Sequence, residues 1–89
     1  MVLLDLMGRR GTLRIVWELR DGALTFRALQ EAAELTPSTL NTRLKELREA
    51  RIVSLEEGGY ALTPEGQDLR TGLRFLYDWA EDWAARGTS

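Results

Sequence analysis

The chain has no cysteine and no histidine among its 89 residues. These absences exclude disulfides, thiol redox sensing, imidazole general-base catalysis and the usual zinc sites. Proline is nearly as scarce: Pro37 and Pro64 are the only two, so each marks a particular place in the chain. No apolar run approaches the roughly 20 residues that a membrane-spanning helix needs. The opening MVLLDLM is too short for the apolar region of a secretory signal, Asp5 interrupts it, and no basic segment precedes it. A cytoplasmic location without membrane contact is therefore expected. Gly8-Arg9-Arg10-Gly11 has glycines but lacks the preceding strand and the following Lys-Ser or Lys-Thr of a phosphate loop. The neighbouring carboxylates Glu56-Glu57 and Glu81-Asp82 are most simply solvated charges. No enzyme, metal or cofactor is expected.

What remains is the composition of one soluble domain with a modest core, 44% hydrophobic and 29% charged. The net charge of −2 is unfavourable for a nucleic-acid binder, but its distribution is uneven. From Thr36 to Val53, Arg43, Lys45, Arg48 and Arg51 outnumber Glu46 and Glu49. From Ser54 onward, seven acids face only Arg70, Arg74 and Arg86. The N-terminal third is close to balanced, with Arg9, Arg10, Arg14 and Arg20 against Asp5, Glu18 and Asp21.

Periodicity predicts the order α-α-α-β-β-α in a single unit without repeats or linkers. The first helix runs from Arg10 or Thr12 to Arg20, with Leu13, Val16, Trp17 and Leu19 as its apolar face. The second is capped by Thr25 and buries Phe26, Leu29, Ala32 and Ala33 before a turn at Glu34-Leu35. The third has the clearest start: Thr36 as cap, Pro37 where its missing N–H costs nothing. Leu40, Leu44 and Leu47 then stack on one face. Ile52–Leu55 and Tyr60–Leu62 read as strands joined by Glu56-Glu57-Gly58-Gly59, whose glycines suit a tight hairpin. Thr63-Pro64 repeats the cap-plus-proline start, and the last helix continues to about Ala85.

A solvated surface helix is the plain reading of the third element, and two details favour another. Its outer face carries Ser38, Asn41 and Thr42 near the N-terminus, short hydrogen-bonding groups where a recognition helix meets bases and phosphates. A short helix precedes it across a tight turn, and a hairpin follows at once. The expected fold is thus mainly α with a small β-hairpin, a winged helix-turn-helix with a long C-terminal dimerisation helix. Residues 1–63 form the DNA-binding core and 64–86 the dimerisation helix. Thr36, Ser38, Thr39, Asn41, Thr42 and Lys45 are expected near bases or phosphates of double-stranded DNA, and Arg43 as a phosphate clamp. Arg9, Arg10 and Arg27 are further candidates for backbone contacts. The hairpin tip holds two carboxylates that phosphates would repel, so the wing is expected to be mainly scaffold.

Phe75, Tyr77, Trp79 and Trp83 permit three uses: a dimer interface, core packing against the first helix and Trp17, or a pocket for an aromatic ligand. The last helix is longer than one small domain can cover and its aromatics fall on more than one face, which favours the interface. Leu13, Trp17, Leu73, Leu76, Trp79, Ala80 and Trp83 are the expected interface residues. A small-molecule effector has no specific support.

From Leu6 to Trp79 the motifs resemble those of the HxlR-type winged helix-turn-helix regulators, relatives of the MarR group. Gly8-Arg9-Arg10-Gly11-Thr12-Leu13 with Ile15 to Leu19 is similar to G-x-K-W-T-L-x-I-L-x-x-L. Gly22 through Thr25-Phe26-Arg27-Ala28-Leu29 is similar to G-x-x-R-F-x-E-L. The most specific match is Leu35 to Leu47, which resembles I-S-x-x-x-L-T-x-R-L-R-E-L. Tyr60 to Gly66 resembles the Y-x-L-T-x-x-G that winged-helix families share widely, and Trp79 falls where the family often has tryptophan. The resemblance implies a homodimer, joined through the first and last helices, that binds a two-fold DNA site and regulates transcription. Three departures stand out. Gly11 replaces the family's tryptophan, so the core packing that side chain provides is either missing or taken over by Trp17. The N-terminal cysteine of redox-sensing members is absent. The wing is clipped and acidic where the family's is longer and usually basic. The acidic wing and net negative charge motivate a second reading, a winged-helix module that binds protein and not DNA.

Overall fold

Capping chemistry sets most of the element boundaries. The computed structural model describes residues 3–87. Its elements are α1 (Leu3–Met7), α2 (Thr12–Glu18), α3 (Phe26–Ala33), α4 (Pro37–Glu49), β1 (Val53–Glu56), β2 (Gly59–Leu62) and α5 (Pro64–Gly87). The fold is the expected winged helix-turn-helix with one helix more. Five residues of α1 are too few to show a period, but they suffice to place Leu6 in the core.

Thr25 Oγ1 accepts the Ala28 amide at 3.1 Å, and Thr36 Oγ1 accepts the Thr39 amide at 3.2 Å, so these two of the three predicted caps are present. Thr63 Oγ1 accepts the Gly66 amide at 3.0 Å and donates to the Arg51 carbonyl at 2.6 Å. It therefore starts α5 and ties that start to the end of α4. Between α3 and α4 the chain turns through Glu34 in the left-handed region (φ 55°), which sets the two helices of the helix-turn-helix.

The core is one cluster drawn from every helix but α5 and from the start of the hairpin. Leu6, Ile15, Val16, Leu19, Leu29 and the seam Leu40, Leu44 and Leu47 are buried, with Ile52 and Val53 beneath them. Fully burying such a side chain stabilises by about 1.5–3 kcal/mol, so the three-leucine seam is a principal anchor of α4. The expected apolar face of α2 needs correction. Ile15 is fully buried with Val16 and Leu19, whereas Leu13 and Trp17 are half-buried on the side of α2 that meets α5. Being packed on two sides, α2 has no single apolar stripe to read. Nor does Trp17 fill the space opened at Gly11. Gly11 sits in the left-handed region (φ 87°) against the Leu35 methyls. Trp17 instead packs on Tyr77 of α5 at a centroid distance of 4.8 Å, with the Arg20 guanidinium 4.2 Å over its ring.

The hairpin is antiparallel with register Val53↔Leu62, Ser54↔Ala61, Leu55↔Tyr60 and Glu56↔Gly59. Each strand extends one residue further toward the turn than the sequence suggests, so Glu57 and Gly58 alone form the turn. Gly59 is required for a second reason. A Cβ there would overlap the Leu24 carbonyl, where Leu24 and Tyr60 exchange both backbone bonds at 2.9 and 2.8 Å. The ribbon is thereby stitched to the segment before α3.

Twenty-four residues make α5 about 36 Å long at 1.5 Å per residue. The molecule measures 44 × 25 × 24 Å, so the helix outruns the core that supports it. Leu69 and Leu73 pack on the core, and Tyr77 Oη donates to the Leu13 carbonyl at 3.0 Å. On the far face Phe75, Leu76, Trp79 and Trp83 stand more than half exposed, and the Trp79 and Trp83 rings stack at 6.2 Å.

Candidate nucleic-acid interface

Burial of the leucine seam dictates what α4 shows to solvent. Ser38, Asn41, Thr42, Lys45, Arg48 and Glu49 are all exposed. Thr36 is exposed but spends its oxygen on the cap, and its hydroxyl lies 3.0 Å from that of the half-buried Thr39. Thr42 Oγ1 donates back to the Ser38 carbonyl at 3.1 Å, which leaves its lone pairs available to a partner. Among the described residues no carboxylate lies within 4.0 Å of the Lys45 or Arg48 side chains. Both cations are thus uncommitted beside a row of short polar groups.

Arg43 differs from the expectation of a phosphate clamp. Its Nε donates to the Arg10 carbonyl at 3.0 Å, and its Nη1 pairs with Glu46, which also pairs with Arg9 at 3.2 Å. The Arg43 side chain is only 15% exposed. Its position between the outer face and the seam directs the guanidinium along the flank of the helix, into the turn between α1 and α2. Arg27 is on the α3 surface, in weak contact with Glu31 at 3.7 Å.

On the opposite flank, α4 and the hairpin enclose an open groove of about 710 Å³. Asn41, Lys45 and Arg48 form one wall; Ser54, Leu55 and Tyr60 form the other. From the sequence the hairpin is expected to be mainly scaffold, and Arg48 has no assigned contact. The signal was there in part: Arg48 follows Asn41 by seven positions and so shares its flank. The hairpin wall depends on register and could not be placed from the sequence. The tip residues Glu56 and Glu57 are exposed beyond the groove.

The expected interface residues divide into two groups. Leu76, Trp79, Ala80 and Trp83 are exposed on α5, whereas Leu13, Trp17 and Leu73 are half-buried within the subunit. Phe75, the most exposed of the large apolar side chains at 82%, belongs with the first group. Among the described residues no helix is long and apolar enough to cross a membrane.

A helix-turn-helix whose second helix is bared beside a two-stranded ribbon defines a winged-helix transcriptional regulator. Residues 6–88 match the HxlR-like helix-turn-helix family, and the chain belongs to it. This family places the chain among transcriptional regulators, not enzymes. It is similar to an uncharacterized HTH-type transcriptional regulator of Methanocaldococcus jannaschii, with 24% identity over 93% of this chain and 83% of the relative. Among solved structures it resembles quinone-bound YodB of B. subtilis, with a TM-score of 0.82 and 30% identity over 90% of this chain and 92% of that one. The fold is also that of a possible HxlR family transcriptional factor from Thermoplasma volcanium (TM-score 0.86, 24% identity, 96% of this chain and 84% of that one).

Proposed function

We propose that this regulator is a sequence-specific DNA-binding protein that acts as a homodimer and inserts α4 of each subunit into a major groove. The observation that carries this reading is the outer face of α4, where Ser38, Asn41 and Thr42 stand exposed next to the uncommitted cation Lys45. Asn41 has the donor and acceptor pair that reads adenine bidentately, and Lys45 supplies the charge that draws phosphate. Ser38, Thr39 and the Thr36 end of the helix approach the phosphates, and Arg48 does so from the hairpin groove. Arg43 serves this surface from behind, as a strut.

The dimer forms through the outer face of α5, where Phe75, Leu76, Trp79 and Trp83 make an apolar stripe continuous with Ala80. Leu13, Trp17 and Leu73 support that helix from the core side. Two reading helices about 34 Å apart would then meet successive major grooves on one side of the duplex. The 89 residues contain no cysteine, so none of them can serve as a redox-sensing thiol.

Selection from a random duplex library tests the reading. It should enrich a two-fold site with half-sites about 10 base pairs apart, bound more weakly as salt rises. Absence of salt-sensitive DNA binding at micromolar protein would sink the proposal and favour the protein-binding alternative.

A further inference from the structure

The Gly8–Gly11 segment, unsuited to be a phosphate loop, forms the turn between α1 and α2 and lies along α4. Successive residues of it are fixed there. Arg9 pairs with Glu46 at 3.2 Å, the Arg10 carbonyl accepts from Arg43 Nε at 3.0 Å, and Gly11 abuts Leu35 just before the α4 cap. Helical spacing puts Arg43 and Glu46 on the flank of α4 away from Asn41 and Arg48, hence away from the hairpin. The Glu46 carboxylate is shared by Arg9 and Arg43, so the charges of those two arginines are largely answered within the subunit. Arg10 is left over. Its side chain is exposed with no carboxylate within 4.0 Å among the described residues, while its own carbonyl is held by Arg43.

We infer that the Gly8–Gly11 turn is a second DNA-backbone contact, flanking α4 on the side opposite the hairpin, with Arg10 as its phosphate ligand. The inference rests on the reading of α4 as the DNA-inserted helix. A duplex that holds a helix in its major groove presents a phosphate strand on each side of that helix. On the hairpin side the ribbon ends in Glu56 and Glu57, which phosphates repel. On the other side stands an unpaired guanidinium on a turn anchored to α4 by two arginine-mediated contacts, and guanidinium binds phosphate oxygens through charge-assisted, often bidentate hydrogen bonds. Arg43 and Glu46 are positioning residues: they hold the backbone from which Arg10 projects.

Fluorescence anisotropy of the full chain with a mixed-sequence duplex, measured across a salt series, tests this. Each phosphate contact contributes about 0.9 to the slope of log affinity against log salt, so Arg10→Gln should lower the slope of a dimer by roughly 1.8. Arg10→Lys should retain the slope, because a point charge suffices. Thermal stability should stay at the wild-type value in both variants, since only the Arg10 main chain is bonded. Arg74→Gln, on α5, controls for net charge and should leave the slope unchanged. If Lys45→Ala lowers the slope and Arg10→Gln does not, the inference is overturned and DNA reading by α4 stands. An equal loss in Arg74→Gln overturns it too, as a general charge effect. A wild-type protein whose affinity is flat in salt overturns both this contact and the DNA-binding function.

Discussion

Gly66 lies so close to the carbonyl of Ile52 that even a methyl group would overlap the oxygen. The same carbonyl accepts the Thr63 amide at 3.0 Å, so the start of α5 is pressed onto the residue that opens the hairpin. Glycine here gives close approach: no side chain fits between a buried helix turn and that oxygen. Gly66→Ala should cost about 1–3 kcal/mol as overpacking. In a domain of this size each kcal/mol lowers the melting temperature by about 4–8 °C, which thermal circular dichroism resolves. Gly72 is the contrasting case, with open space at its Cβ position within the same helix. Gly72→Ala should stabilise by up to about 1 kcal/mol, because alanine loses less backbone entropy in a helix. Equal effects of the two substitutions would refute the close-approach account.

Thr12 is fully buried, and its hydroxyl has no hydrogen-bond partner among the described residues. An unsatisfied buried hydroxyl costs about 1–3 kcal/mol, whereas valine has the same branched shape without it. Thr12→Val should therefore raise stability to urea, by about 1 kcal/mol or more. A loss of stability would mean that the hydroxyl is satisfied in solution.

Tyr77 joins α5 to α2 through its bond to the Leu13 carbonyl. Burial, the largest influence, raises its hydroxyl pKa above the ordinary value of about 10; the Arg14 charge lowers it in part and Glu18 raises it. Below the unfolded value the phenol is protonated in both states, and its contribution is fully present. As pH rises from there through the folded value, the unfolded chain releases the proton more readily, so stability falls. Tyr77→Phe should cost about 1 kcal/mol at neutral pH and show a shallower decline in alkali. Urea unfolding at pH 7 and at about pH 11 checks both, and equal alkaline slopes in the two proteins would contradict the assignment.

Asn41 and Lys45 should respond differently to alanine. In the proposed DNA complex, replacing Asn41 or Thr42 with alanine should cost about 1–3 kcal/mol on the preferred site and relax sequence preference. Lys45→Ala should weaken preferred and random duplexes alike. Competition binding with both kinds of duplex separates these outcomes, and a uniform loss in Asn41→Ala would place that residue on the backbone.

Trp79 is 57% exposed and stacks on Trp83, so its removal disturbs little within one subunit. Trp79→Glu should abolish self-association while leaving the helical circular dichroism of the subunit intact. Sedimentation velocity measures the first; a variant that still sediments as a dimer would move the interface elsewhere.

The caps and leucine seam were legible in the sequence because each is a local device. Thr36, Pro37, Leu40 and Leu44 act within two turns of one helix, and the predicted start of α4 matches the observed one. The faces of α2 were less legible, since Ile15 and Trp17 are packed by different partners and neither dominates the pattern. Arg43 shows why the interface was only partly readable. Its spacing places it nearer the leucine seam than the outer face, but the destination of its guanidinium is a carbonyl 33 positions earlier, and no periodicity encodes that. The hairpin groove depends in the same way on strand register and on the Leu24–Tyr60 bridge.

The overhang of α5 has a consequence for control in the cell. In the proposed dimer one subunit is half of a device, and the amount of working device varies as the square of subunit concentration while free subunits predominate. Operator occupancy would then respond steeply to modest changes in synthesis or turnover. Under that proposal abundance itself becomes the signal, read through the apolar stripe that the overhanging helix leaves bare.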